Sequence, residues 1–362
     1  MHHGSRSTFR RAALVLTSAT VIPACAATAP RPARAQDPLA AAGERHFGDM
    51  EQLTFGGQNA EAYFSFDGRR LVYQTTPQDA GCDQIYTMTL DGGDRRLVST
   101  GTGRTTCSYY YPSGRQILYS STHHFDVACP APPDYSMGYV WPIYPSFDVF
   151  VVDSAGGEPR QMTHEFGYDA EATFSPRGDR IVFTSMRDGD LELYTMRPDG
   201  SDVQRLTHEP GYDGGAFFSP DGSRIVWRAH HPESEQELAD YRALLARGLI
   251  RPGSLDIYVM NADGTNQRRL TDNGKANFAP YWHPTGEWIA FSSNMDDPRG
   301  RDFEIYVMRS DGSELERVTF SPEFDGFPVF SHDGRTLVFA SNRNGAQPGD
   351  TNIFRAEWIA NP

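Results

Sequence analysis

Asp or Asn recurs at one register point of this chain: Asn59, Asp169, Asp213, Asn277 and Asp325, with Thr106 at the remaining copy. Glu61 and Glu171 follow two residues after Asn59 and Asp169. Gathered round a common axis, such oxygens would suit Ca²⁺ or another hard cation, which takes six to eight oxygen ligands. Asp169, Glu171 and Asp213 are the metal candidates on this reading. Short Asx side chains also hydrogen-bond tight turns, and that is their commoner use. The Glu61 and Glu171 pair resists the turn explanation, because carboxylates along a narrow channel repel unless a cation, an arginine or a ligand lies between them.

His123-His124 and His230-His231 occupy matching positions in two further segments. Imidazoles ligate Zn²⁺ or move protons near neutral pH. Adjacent histidines point apart, however, and no His-x-x-x-His or Cys-x-x-Cys spacing is present, so loop hydrogen bonding is the competing use. Arg187 and Arg343 stand in corresponding loops and have the fork geometry to clamp a carboxylate or phosphate, or to pair with neighbouring acids. Between residues 121 and 147 lie Tyr135, Tyr139, Trp141 and Tyr144, either a stacking wall for a sugar or peptide or the packing of a loop onto its support.

What positions these residues is a repeat. Phe218-Ser219-Pro220-Asp221-Gly222 returns, with variation, as the turns ending at Gly68, Gly114, Gly178, Gly286 and Gly334. Aromatic and β-branched runs flank each turn, as in a hairpin. A third strand such as Ile257-Tyr258-Val259-Met260 follows, then Asp-Gly, then a fourth strand such as Arg269-Leu270-Thr271. Six copies of a four-stranded antiparallel meander result. The sixth copy ends at Trp358 without a fourth strand, whereas Gln52-Leu53-Thr54 is a fourth strand standing alone at the front. Circular closure solves both problems and removes exposed sheet edges. The sequence therefore predicts an all-β, six-bladed β-propeller over residues 49–362 whose N-terminal strand completes the last blade.

Two copies carry insertions between second and third strands, at 121–147 and 229–255. The second holds a predicted helix from Glu235 to Arg247, with Ser234 and Glu237 as a capping box and Gly248 as terminator. Its Leu238, Tyr241 and Leu245 share one face. Both insertions leave the rim from which the inner strands start, so the candidate residues collect on that rim, where irregular loops on a rigid scaffold carry function.

The formal net charge is -14. Arg6, Arg10, Arg11, Arg31 and Arg34 fall in the first 35 residues, which hold no acid, so the remainder is more acidic still. This excludes an extended nucleic-acid footprint and favours cationic partners. Residues 1–35 read as a signal peptide: Arg10-Arg11, an apolar run broken at Pro23, then Ala33-Arg34-Ala35. An alternative is a lipoprotein cleaved before Cys25. Residues 36–48 read as a linker, and no later stretch is apolar enough to span a bilayer. The mature protein is expected to be periplasmic or secreted, or lipid-anchored through Cys25. In an oxidising compartment Cys82, Cys107 and Cys129 allow one disulfide, with Cys82 to Cys107 preferred because the start of an inner strand abuts the previous blade's loop.

The Ser-Pro-Asp-Gly turn, the Ile-Tyr-Val-Met third strand and the Arg-Leu-Thr fourth strand resemble the PD40 repeats of TolB-like propellers over residues 51–358. TolB carries an α/β domain ahead of its propeller, which is not evident between this signal and the first blade, and works in the periplasmic Tol-Pal envelope system. The resemblance implies a module that binds an envelope protein, peptide or glycan. No Gly-x-Ser-x-Gly elbow or hydrolase domain accompanies it. The alternative is a lyase or hydrolase, metal-assisted or not, acting at the channel mouth. The rim residues on which either function would draw are Glu61, His123, His124, Asp169, Glu171, Arg187, Asp213, His230, His231, Asp325 and Arg343.

Overall fold

Serine, aspartate and glycine build the repeated turn by bonding among themselves. At Phe218–Gly222 the Ser219 hydroxyl donates to Asp221 at 2.6 Å and accepts from the Arg224 amide at 2.9 Å. Gly222 closes the turn with its amide on the Ser219 carbonyl, at a φ of 73° that favours a residue without Cβ. The computed structural model describes residues 37–77, 81–322 and 324–360. The predicted signal peptide and Cys25 lie outside them.

Six four-stranded antiparallel sheets follow in chain order. Their inner strands are Gln58–Phe64, Thr105–Tyr110, Asp169–Phe174, Tyr212–Phe218, Asn277–Trp282 and Asp325–Phe330, in blades 1 to 6. Closure is as expected. The strand Phe47–Gln52 pairs with Asn352–Trp358, matching Met50 to Ala356 and Gln52 to Phe354. The closing strand starts at Phe47, and the residues before it are packed against the ring. Glu44 is buried and accepts two bonds from Arg343, at 2.8 and 2.9 Å, while His46 stacks on Trp358 at 4.5 Å.

Each blade is held by one cross-strand aromatic pair. Tyr73 lies on Tyr86, Tyr119 on Phe150, Phe183 on Tyr194, Trp227 on Tyr258, Phe291 on Tyr306 and Phe339 on Phe354, with centroids 5.4 to 6.2 Å apart. Such pairs are the side-chain unit of sheet stability. The Arg-Leu-Thr signature has its own task. In blade 4, Thr271 donates to Asp256 at 2.7 Å and accepts from the Ile257 amide at 2.9 Å, while Arg269 bonds the same carboxylate at 2.6 Å. Thr207 with Arg205 on Glu192, and Thr319 with Arg317 on Glu304, form the same clamp in blades 3 and 5. Outer strand and third strand are thereby locked where the ladder itself is only two residues long.

The insertions meet each other. Trp141–Pro142 from blade 2 pairs antiparallel with Leu249–Ile250 from blade 4, reaching across blade 3. The helix runs Glu235–Leu245 with Ser234 as N-cap, and Gly248 follows in the left-handed region. It buries Tyr241, Leu244 and Leu245, with Leu238 partly covered. The Tyr241 hydroxyl donates to the Gly211 carbonyl at 2.6 Å, tying the helix to the ring. No helix among the described residues is long and apolar enough to cross a membrane.

The disulfide differs from the expected pair: Cys82 bonds Cys129, with Cα atoms 5.7 Å apart, and Cys107 is a free thiol. The blade-2 insertion folds back over the loop of blade 1, where the Gly103 amide holds the Val127 carbonyl at 2.8 Å and brings Cys129 beside Cys82. Cys107 sits on a strand bulge at φ 50° beside Thr106 and Gln74. Peptide mapping of the oxidised protein without reduction should therefore link Cys82 to Cys129 and leave the Cys107 thiol intact. With the linked cysteines 47 positions apart in sequence, Cys129→Ser should cost about 4 kcal/mol in the chain-entropy picture. A Cys82–Cys107 crosslink would contradict this assignment.

Candidate functional site

Every inner strand carries one extra residue near its start. The register slips between Ala60 and Tyr63, Thr106 and Tyr109, Ala170 and Thr173, Gly214 and Phe217, Phe278 and Tyr281, and Gly326 and Val329. Within each slip one residue has positive φ: Glu61, Cys107, Glu171, Gly215, Ala279 and Phe327, at 50° to 61°. A bulge with a left-handed residue re-aims its side chain. All six of these residues line one pocket at the ring axis.

Two residues further along each strand a second layer closes the axis. Tyr63, Tyr109, Phe217 and Tyr281 pack against one another across the ring with centroids 5.1 to 6.3 Å apart, and the Tyr109 and Tyr281 hydroxyls lie 3.5 Å apart. Above the bulge layer, on the insertion rim, opens a cavity of about 950 Å³. Tyr139, Trp141 and Tyr144 of the blade-2 insertion, Ile250 and Pro252 of the blade-4 insertion, and Phe147, Tyr168, Phe278, Phe303 and Phe324 form its wall. Glu61, Cys107, Glu171, Arg228 and Phe327 are shared with the axial pocket and form its floor. The result is a blind cup, wide and aromatic above, charged at the bottom.

At the floor Glu171 is heavily bonded. It accepts from the Gly215 amide at 2.8 Å, Thr184 Oγ1 at 2.9 Å and the Tyr212 hydroxyl at 3.2 Å, and it forms an ion pair with Arg228. The guanidinium also lies 5.4 Å from the Trp141 ring and 5.6 Å from the Tyr212 ring. Burial tends to lower the Arg228 pKa, but Glu171 and its other neighbours raise it above the usual value, so it stays charged. Burial pushes the Cys107 thiol well above its ordinary range, and the nearby charges of Glu61 and Glu171 push the same way. It is a poor nucleophile in this setting. Glu61 is raised to about 7 by burial, against the attraction of Arg228 and a hydrogen bond with the Cys107 thiol.

The remaining sequence candidates are spent within the blades. Asp169 takes Arg187 at 3.1 Å, Asp325 takes Arg343 at 2.7 Å, and Asp213 takes Trp227 Nε1 at 2.6 Å and His231 at 3.2 Å. Asn277 bonds the Leu255 carbonyl at 2.8 Å. His124 pairs with Asp148 at 2.9 Å and His123 with Ser121 at 2.8 Å. Burial lowers the pKa of His123 and of His230. For His231 burial is outweighed by Asp213, and its pKa rises. Asp169, Glu171 and Asp213 do not converge as the proposed Ca²⁺ ligands: each has its own cation, and among the described residues no group of three or more His, Cys, Asp or Glu gathers to hold a metal ion.

Glu61 and Glu171 alone of the sequence candidates reach the cup floor together. Sequence reasoning missed Arg228 and Cys107 there. Arg228 had a signal: the residue after the second-strand aromatic is Gln74, Ser120, Thr184, Ser292 or Ala340 elsewhere, and arginine only in blade 4.

The profile of the TolB beta propeller domain, PD40, matches residues 145–243 and 239–353, more than half of the chain. The chain belongs to the TolB β-propeller family. Among solved structures, this TolB-family propeller is similar to a putative TolB from Agrobacterium tumefaciens, at 20% identity and a TM-score of 0.56, covering 84% of this chain and 91% of that one. It is similar to TolB from Acinetobacter baumannii at 18% identity and a TM-score of 0.55, covering 84% of this chain but only 64% of that one, so it spans less than two thirds of that protein. An oligogalacturonate lyase in complex with manganese aligns at 14% identity and a TM-score of 0.50, covering 87% of this chain and 99% of that one. At these identities the likeness is one of fold.

The raised Glu61 gives a pH test. The folded chain holds this proton up to about pH 7, whereas a free glutamate loses it near 4.5. The associated stability is whole below 4.5, falls as pH rises from there, and is fully lost once pH has passed about 7. Urea midpoints measured from pH 5 to 8 should show Glu61→Gln gaining on the wild type up to about pH 7 and levelling off above it. Parallel curves across that window would refute the assignment.

Proposed function

We propose that this protein is an exported ligand-binding propeller of the cell envelope, which captures a segment of an envelope protein, a peptide or a glycan in the cup on its insertion rim. The observation that carries this reading is the blind aromatic cup of about 950 Å³, whose wall is completed by the two insertions that pair over blade 3. A cavity of this size, mostly apolar with a few convergent polar groups, is the usual form of a ligand site. Export is supported by the leader pattern of residues 1–35 and by the Cys82–Cys129 bond, which suits an oxidising compartment.

A second reading, a lyase or hydrolase, draws on one observation: a carboxyl held near pH 7 at the floor is suited to general acid–base work. Turnover of a captured oligosaccharide or peptide that Glu61→Gln abolishes would favour it.

Trp141 tests the binding reading. Pools of short peptides and of oligosaccharides should yield a ligand whose affinity falls about tenfold or more in Trp141→Ala, the loss expected for a buried aromatic anchor, while the melting temperature changes little. Unchanged affinity for every captured ligand would move the binding surface away from the cup.

A further inference from the structure

The charges of the cup are unequally committed. Arg228 is bound to Glu171, and Arg104 pairs with Asp83 at 3.3 Å. Arg301 is exposed at the rim. Among the described residues no ion pair holds Glu61, which stands at the floor, partly open to the cavity. Burial disfavours its ionised form, as do the charges of Glu171 and Asp83; the one attractive charge is Arg228, already neutralised by Glu171, and the Cys107 thiol gives it a hydrogen bond. Around and above it stand π faces: Tyr144, Trp141, Tyr168, Tyr212 and Phe327. Burial raises the pKa of Tyr168 and Tyr212, so both are neutral phenols that offer ring faces and no counter-charge. An anionic ligand would find its guanidinium already taken at the floor. A cation would find below it a carboxyl that no ion pair holds among the described residues, and aromatic rings on the wall of the same cavity, the two elements of ammonium recognition.

We infer that the cup takes a ligand that presents a primary ammonium group, with the Glu61 carboxylate as its counter-charge and the aromatic wall as its cation–π surroundings. This deepens the reading of the cup as a ligand site and rests on it. Because Tyr63, Tyr109, Phe217 and Tyr281 close the axis below, the ammonium is the leading end of the ligand and does not pass through the ring. Bringing a cation to Glu61 favours its ionised form, so capture of the amine releases a proton near neutral pH.

Tyramine, its alcohol isostere tyrosol and its acid counterpart 4-hydroxyphenylpropionate serve as matched probes, titrated by calorimetry into the wild type, Glu61→Gln and Trp141→Ala at pH 5.5 and 8. Tyramine should bind about tenfold or more tighter than tyrosol at pH 8. That preference should shrink at pH 5.5 and vanish in Glu61→Gln, whereas Trp141→Ala should weaken both. A tripeptide amide with a free amino terminus and an N-acetylated one carrying lysine then separate a chain end from a side chain as the source of the ammonium; binding of either supports the inference. If tyrosol or the acid binds in a Trp141-dependent way and tyramine gains nothing, the cup is a ligand site but ammonium recognition is wrong. If no probe binds, both readings fall.

Discussion

The cup depends on one buried ion pair between neighbouring blades. Glu171 projects from a left-handed bulge on the inner strand of blade 3, and Arg228 reaches it from the second strand of blade 4. The pair needs room, which Gly214 and Gly215 supply. A Cβ on Gly215 would come within 2.0 Å of Arg228 Nη1, and one on Gly214 within 2.3 Å of Glu171 Oε2. Their missing side chains let the two charges meet, and the Gly215 amide becomes one of the Glu171 donors. Buried ion pairs rarely add net stability over apolar substitutes, but each partner is costly to remove alone. The pair is therefore best understood as a positioning device. It fixes the Glu171 carboxylate, holds Arg228 beside Trp141, and leaves Glu61 as the acid of the floor that no ion pair holds among the described residues.

Symmetry and its breakage have separate roles. The six bulges repeat the same backbone event, so every blade offers one side chain to the axis. What differs is the residue offered: two glutamates, a cysteine, a phenylalanine, and two small residues in blades 4 and 5. Gly215 and Ala279 open the floor on one side, Phe327 fills the other, and the acids concentrate in blades 1 and 3. The insertions add a second asymmetry by building a wall over blades 2 to 4.

The architecture was legible in the sequence because its signals are local and repeated. Ser219, Asp221 and Gly222 make their turn with bonds that span five residues, and the isolated Gln52-Leu53-Thr54 announced closure without any knowledge of distance. The site was only half legible. Glu61 and Glu171 were marked by their spacing, but Asp169, Asp213 and Asp325 share that neighbourhood and are taken up by Arg187, His231 and Arg343 inside the blades. The difference is the bulge, which turns residue 171 to the axis and leaves residue 169 facing its own sheet. The disulfide and the pairing of Trp141 with Ile250 were not legible, because both follow from long insertions folding across a neighbouring blade. Nothing in residues 121–147 alone states which blade they will cover.

The central claim is that Glu171 and Arg228 act as one unit, and a double-mutant cycle measures it. Glu171→Gln and Arg228→Met would be compared singly and together by denaturant unfolding. Each single change should cost about 3–5 kcal/mol by stranding a buried partner, and the double variant should cost less than the two losses combined by about 2 kcal/mol or more. Additive losses would show that the two side chains do not depend on each other, and the account of the cup floor would fail.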